Sequence, residues 1–201
     1  MKKILSIILV SLMLFAVTSV RTFAATTHKV EKGDSLWKIA VKYSVGLSEI
    51  KSANPSIKNY NLIYPGQIIN IPTVSASVTA YESEVVRLVN EIRISHGLKP
   101  LTEDWQLSRV ARYKSQDMRD LGYFSHTSPT YGSPFEMMKN FGITYRTAGE
   151  NIAKGYSTPK AVVDAWMNSP GHRANILNSS YTHIGVGYVT SGNYWTQMFK
   201  S

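Results

Sequence analysis

No cysteine occurs among the 201 residues. That excludes a disulfide scaffold, a thiol nucleophile and every cysteine-based zinc or iron–sulfur site. Charge is sparse as well, with Asp, Glu, Lys and Arg making up 17% of the chain. No basic tract is interleaved with aromatics, so nucleic acid is not an expected partner. Also missing are His-x-x-x-His, His-Glu-x-x-His, an acidic calcium loop and a Gly-x-Ser-x-Gly elbow. Any metal or hydrolytic centre therefore has to be assembled from distant segments. Hydrophobic residues reach 43%, a globular proportion and not that of a disordered or fibrous chain.

One long apolar run is present, Ile4 to Val20. It follows the basic Met1-Lys2-Lys3 and precedes Thr22-Phe23-Ala24, which offers small residues at a cut after Ala24. This order reads as a secretory signal peptide over residues 1–24, and the run is at the short end for a retained anchor. The net charge of +9 falls to +6 once Lys2, Lys3 and Arg21 leave. It divides evenly, +3 in residues 26–72 and +3 in residues 80–201. Outside a cell such a balance attracts an anionic wall polymer or anionic lipid.

Two modules are expected. Thr73 to Thr79 carries no charge and little bulk, and reads as a linker over 73–79. Before it, His28-Lys29-Val30 predicts a strand with His28 on its surface. Gly33-Asp34-Ser35 supplies a turn and an N-cap, and Leu36, Ile39, Ala40 and Tyr43 recur at helical spacing. A second helix is predicted from Leu47 to Ala53, stopped by Asn54-Pro55. A turn at Tyr64-Pro65-Gly66-Gln67 leads into a strand at Ile68 to Ile71. The helical spacing sends Leu36 and Ile39 into the core.

His28-Lys29-Val30, Gly33 to Ala40, Ala53-Asn54-Pro55, Leu62 to Gln67 and Ile69 to Pro72 together resemble a LysM domain over residues 27–72. The resemblance implies a βααβ fold that binds N-acetylglucosamine-containing glycan, chiefly peptidoglycan. It implies a shallow groove between two loops. Gly33, Asp34, Ser35, Leu36 and Trp37 form one, and Asn61, Leu62, Ile63, Tyr64, Pro65 and Gly66 the other.

Residues 80–201 read as α+β, helices first and paired strands last. Thr79-x-x-Glu82 matches a capping box ahead of Val85, Leu88, Val89 and Ile92. A helix is predicted from about Glu103 to Leu121, and Ser133-Pro134-Phe135-Glu136 and Thr158-Pro159 each start another. His183 to Val189 and Tyr194 to Phe199 flank Ser191-Gly192-Asn193 as a terminal hairpin. His96 reads as a helix cap. His126, Glu150 and His172 stand in segments rich in turn residues, read as three loops, where functional polar groups collect.

Phe124-Ser125-His126, Gly149-Glu150-Asn151-Ile152-Ala153, Ala165-Trp166-Met167, Ser169-Pro170-Gly171-His172-Arg173 and His183 to Tyr188, in that order, resemble the CAP superfamily of cysteine-rich secretory, antigen 5 and pathogenesis-related proteins. The resemblance implies an α–β–α sandwich with a central cleft of two His and two acidic residues, which in some members binds a divalent metal. Carried over by motif, the cleft residues are His126, Glu150 and His172, with His126 and His172 as ligands for a metal such as zinc. The second acidic position falls near Ser169, where this chain has no carboxylate. His183 is expected to support the cleft from outside. These resemblances imply a secreted, cell-wall-associated protein whose LysM module holds glycan and whose CAP cleft receives a lipid, glycan, peptide or protein partner. A wall-localised hydrolase and a structural protein of an envelope or spore layer are the alternatives. The missing carboxylate and nucleophile motif favour a non-enzymatic role.

Overall fold

The computed structural model describes residues 25–201, so the expected signal peptide at 1–24 lies outside the described residues. Strand β1 (Ala25–Lys29) pairs antiparallel with β2 (Ile68–Pro72), Lys29 opposite Ile68. Helices α1 (Leu36–Lys42) and α2 (Leu47–Ala53) lie between them in sequence. Ser35 caps α1 by accepting from the Lys38 amide at 3.2 Å. Leu36, Ile39, Ala40, Ile50, Ile69 and Ile71 close a small core. Asn54 latches α2 to β2. Its side chain donates to the Ile50 and Asn70 carbonyls at 2.7 and 2.8 Å and accepts from the Asn70 amide at 2.8 Å.

His28 is not a surface residue. It is 5% exposed, and its ring nitrogens bond Tyr43 Oη at 3.1 Å and Asp34 at 2.8 Å. The strand faces α1 on that side, so a polar ring placed there needs partners and takes them from the first loop and the end of α1.

The second module begins earlier than the capping pattern predicts. Helix α3 runs Ala76–Ser95 with Ser75 as its N-cap, so residues 76–79 are helix and the linker shrinks to Thr73-Val74-Ser75. Thr79 and Glu82 are therefore interior, and no capping box forms there. Glu82 is buried instead. Arg112 grips its carboxylate through Nε and Nη2 at 2.7–2.9 Å, and the Tyr188 amide donates to it at 3.0 Å. Burial raises the pKa of Glu82 despite these donors.

The chain continues through β3 (Thr102–Glu103), α4 (Trp105–Asp120), α5 (Pro134–Asn140), β4 (Ala148–Lys154), α6 (Pro159–Met167), α7 (Pro170–Ile176), β5 (His183–Val189) and β6 (Tyr194–Lys200). The Ser133–Glu136 capping box, the Thr158 cap and the terminal hairpin form as the sequence predicts. The sheet order is β3-β5-β6-β4, parallel between β3 and β5 and antiparallel elsewhere.

Alternation along the strands separates two faces. Ile184, Val186, Tyr188, Trp195 and Phe199 pack under Val85 and Val89 of α3 and Val162 and Trp166 of α6. Met198 faces Leu107, Val110 and Ala111 of α4 and Met137 of α5. Helix α4 lies directly on β5 because Gly185 and Gly187 have no side chain there. A Cβ on Gly187 would stand 2.1 Å from the Arg112 amide nitrogen. The result is the expected α–β–α sandwich.

The Glu82–Arg112 pair joins α3, α4 and β5. Arg112→Ala is expected to cost about 3–5 kcal/mol, because it strands a buried carboxylate. Replacing both residues with leucine is expected to cost clearly less. Urea unfolding of the single and double variants measures this.

Candidate functional site

Two sites follow from this frame. In the first module a groove of about 230 Å³ is walled by Asp34, Ser35, Leu36 and Trp37 from the first loop and the start of α1, and by Asn61 and Ile63 from the second loop. Both predicted loops thus contribute. Leu36 belongs to the core and only floors the groove. Gly33 and Gly66 sit at φ 93° and 91° and shape the two turns without lining the groove. Leu62, Tyr64 and Pro65 are exposed but stand outside it. Asp34 is spent on the loop itself. It accepts from His28 and from the Glu31 amide, each at 2.8 Å, and these bonds, His28 first, hold its carboxyl below the ordinary range. The sequence reading missed Leu47, Lys51 and Tyr60, which complete the wall. The signal was available: Leu47 and Lys51 are one turn apart on α2 and share a face.

In the second module the three predicted residues come from a loop, a strand and a helix. His126 alone is in a loop. Glu150 lies in the edge strand β4 and His172 in α7, contrary to the three-loop reading. Turn-rich flanks hid a strand whose own residues are buried. His126 Nδ1 donates to Glu150 Oε1 at 2.8 Å. The imidazole is 53% exposed and the carboxylate side chain 1%. Burial raises the Glu150 pKa, while the His126 hydrogen bond and the Lys114 and His126 charges oppose the rise. Its second oxygen is buried and has no hydrogen-bond partner among the described residues.

Lys114 positions the loop. Its ammonium, buried under Tyr123, donates to the His126 carbonyl at 2.8 Å. Burial lowers its pKa, against the pull of Glu150 and Asp117. Asp117 pins the same loop, accepting from Tyr123, Ser128 and Thr130 hydroxyls at 2.5–2.6 Å. Lys114 was also missed. It falls on the apolar stripe Leu107, Val110, Ala111, Met118 of α4, and a lysine in such a stripe is the visible signal.

His172 is tied to β4 by Asn151, whose amide donates to the His172 carbonyl at 3.1 Å. Burial and then the nearby His126 charge lower its pKa. Beside it lies an apolar groove of about 290 Å³ with Phe124, Ile152, Tyr156 and Trp166 on its walls. Ser169, where the second acid was expected, is the N-cap of α7 and lines the same groove. His183 stands at the start of β5 opposite Lys200 and bonds Thr182 Oγ1 at 2.8 Å. His96 caps α3 and bonds the Ile92 carbonyl at 2.8 Å.

Among the described residues no three His, Asp or Glu side chains gather as a metal-holding group. The donor set stops at two imidazoles, one of them already turned by Glu150. It does not fit a metal centre enclosed by protein ligands.

A small βααβ module set before an α–β–α sandwich with a His–Glu cleft defines a class of two-module protein. Residues 28–72 match the LysM domain model, and residues 86–199 match the model of CAP, the cysteine-rich secretory protein family. The chain belongs to the CAP family, with a LysM domain ahead of the CAP domain. It is 67% identical over 124 residues to the uncharacterized protein YkwD of Bacillus subtilis, covering 62% of this chain and 48% of that one. It is 38% identical over 167 residues to the uncharacterized membrane protein YlbC of the same organism, covering 79% and 48%. The chain thus spans about half the length of these curated relatives. Among solved structures, an extracellular protein containing an SCP domain from Bacillus anthracis superposes with TM-score 0.59 at 35% identity, over 68% of this chain and 47% of that one.

Two outcomes test the cleft. Above the ordinary glutamate value near 4.5, the unfolded chain loses a proton that folded Glu150 keeps. Its contribution to stability therefore falls as pH rises towards the folded pKa and stays reduced beyond it. Glu150→Gln removes that loss, so the variant should gain on the wild type between pH 4 and pH 8 in urea unfolding. A difference that is flat with pH would show an ordinary carboxyl. For the metal question, EDTA should leave Tm within about 1 °C, since a structural ion held only by the folded state would raise it by mass action.

Proposed function

We propose that this is a secreted, cell-wall-associated protein that holds N-acetylglucosamine-containing glycan through its LysM groove and offers the CAP cleft to a ligand or partner. The observation that carries the reading is the LysM groove, where Ser35 and Trp37 on one loop face Asn61 and Ile63 on the other. Backbone and amide groups at such loops suit the acetamido group of the sugar, and the Leu36 and Leu47 side chains suit its methyl. The expected export signal and the basic charge fit an anionic wall environment.

The CAP cleft has the features of a recognition site. A half-exposed imidazole is oriented by a buried carboxylate, burial lowers the pKa of a second imidazole, and an apolar groove lies alongside. A ligand with an apolar body and one hydrogen-bonding group suits that combination. The His126–Glu150 pair also supports a second reading, hydrolysis. A carboxylate that orients a histidine is the arrangement a general base uses, with Glu150 fixing the tautomer and His126 Nε2 left to take a proton.

Asn61→Ala combined with Lys51→Ala changes the LysM groove alone. It is expected to weaken retention on insoluble peptidoglycan by about threefold to tenfold, the worth of one or two hydrogen bonds. His126→Ala should leave retention unchanged. Equal retention of the groove variant and the wild type would remove the LysM reading. Release of wall fragments by the wild type but not by His126→Ala would establish the hydrolytic one.

A further inference from the structure

The LysM groove does not end at the edge of its own module. Trp37 and Leu47, which wall it, also wall a larger depression of about 670 Å³ between the two modules. The far side of that depression is built by the CAP module, from Trp105 and Gln106 at the start of α4 and from Asn140 and Phe141 at the end of α5. Trp37 is 54% exposed, and Trp105 and Phe141 are half-buried.

These walls are held in fixed relation. Arg109 of α4 reaches Glu49 of α2, with Nε at 2.6 Å and Nη2 at 3.0 Å from its two oxygens, and Nη2 also bonds Ser48 Oγ at 3.1 Å. The pair is largely shielded, at 16% and 25% side-chain exposure. On the CAP side the guanidinium stands 5.4 and 5.3 Å from the ring centroids of Tyr113 and Phe141. One side chain thus locks the LysM helix and the aromatic wall together. Gly46 makes room, since a Cβ there would lie 2.2 Å from Arg109 Nε. With only Thr73-Val74-Ser75 between β2 and α3, the two modules share one surface.

The chemistry of that surface is selective. Trp37, Trp105 and Phe141 share the lining with the amide-bearing Gln106 and Asn140, while Glu49 is taken by Arg109. A pyranose ring has an apolar C–H face, which packs on an aromatic ring, and a rim of hydroxyl and acetamido groups, which takes amide hydrogen bonds. We propose that the depression continues the LysM groove, so that one strand of linked N-acetylhexosamines lies across both modules, over Trp37 and Leu47 and on to Trp105 and Phe141. This rests on the glycan reading of the LysM groove and extends it. The CAP module becomes part of the glycan site, and affinity depends on strand length.

Isothermal titration calorimetry of the full chain with the trimer and the hexamer of β-1,4-linked N-acetylglucosamine tests this. A hexamer sliding along a trimer-sized site gains only roughly fourfold from its extra registers. A strand that also fills the second depression should bind one-to-one and at least about tenfold more tightly than the trimer. Trp105→Ala should reduce that gain to the register factor while leaving trimer affinity unchanged. Glu49→Gln, which loosens the clamp and keeps Trp105, should do the same, and serves if Trp105→Ala fails to fold. A bound trimer with no further gain for the hexamer overturns the inference and leaves the LysM reading intact. So does a complex of two chains on one hexamer, or a gain that survives in the folded variants. A wild-type chain that binds neither sugar overturns both.

Discussion

Buried charge sets the terms for the CAP module. Glu82, Arg93, Lys114 and Glu150 are all out of water, and each stays there only because the fold delivers partners. Glu82 takes Arg112 and the Tyr188 amide. Arg93 donates to the carbonyls of Lys99, Ile176 and Asn178 at 2.7–3.0 Å, tying α3 to the end of α7. Lys114 takes the His126 carbonyl. The Glu82 bonds join α3 to α4 and β5, the Arg93 bonds join α3 to the end of α7, and Lys114 holds the loop that follows α4. The close approach of α4 to Gly185 and Gly187 and the Glu82–Arg112 pair together set where α4 lies on β5. Glu150 is the exception. Its partner is a half-exposed histidine, and its second, buried oxygen has no hydrogen-bond partner among the described residues. Strain of this kind concentrates where a protein meets its ligand.

The cleft's position follows from the sheet. β4 is an edge strand, so successive residues present to both layers and to the open side. Glu150, opposite Met198, faces the α4 layer, and Asn151, opposite Gln197, faces the α7 layer. Asn151 bonds Gln197 at 2.9 Å and Asn175 at 2.8 Å, and Asn175 returns to the Glu150 carbonyl at 3.2 Å. Three amide side chains thereby fasten α7, with His172, to the strand carrying Glu150. The two histidines approach from opposite layers around one edge, His172 on a helix fastened to the strand and His126 on a loop that Lys114 and Asp117 hold.

Much of this was legible in the residues, and the misses have physical causes. Capping signals with a helix-breaking neighbour, such as Ser133-Pro134 and Thr158-Pro159, located their helices correctly because the chemistry is local. Thr79-x-x-Glu82 failed because the same spacing occurs inside a helix, where Glu82 falls on the apolar stripe of Val85, Val86 and Val89 and faces inward. β4 was hidden because Gly149, Glu150 and Asn151 have low strand propensity, and pairing with β6 overrides it. His28 was misplaced for a related reason: a strand's polar position faces solvent only if nothing packs above it, and α1 does. The histidine and glutamate of the cleft were found through motif resemblance. Lys114, which shapes the loop, needed only the observation that a charge sat on an apolar helical stripe.

The joint between the modules is a question of magnitude. An exposed ion pair contributes about 0–1 kcal/mol, too little to dock two free domains. Here the partners are not free. A linker of three residues holds α2 and α4 at an effective concentration on the order of millimolar or above, so most of the entropic cost of meeting is already met by the chain. Under that condition a shielded two-pronged Arg109–Glu49 pair, with the Tyr113 and Phe141 rings against the guanidinium, is enough to favour one orientation. Burial pushes the Glu49 carboxyl up, yet Arg109, Tyr113 and Ser48 together hold it below its ordinary value. The attraction therefore exceeds the desolvation at this carboxylate, and the clamp stays charged through the neutral range. A LysM domain on a long tether would set only the location of its neighbour. One clamped by a short linker also fixes which face of the CAP domain looks along the bound strand.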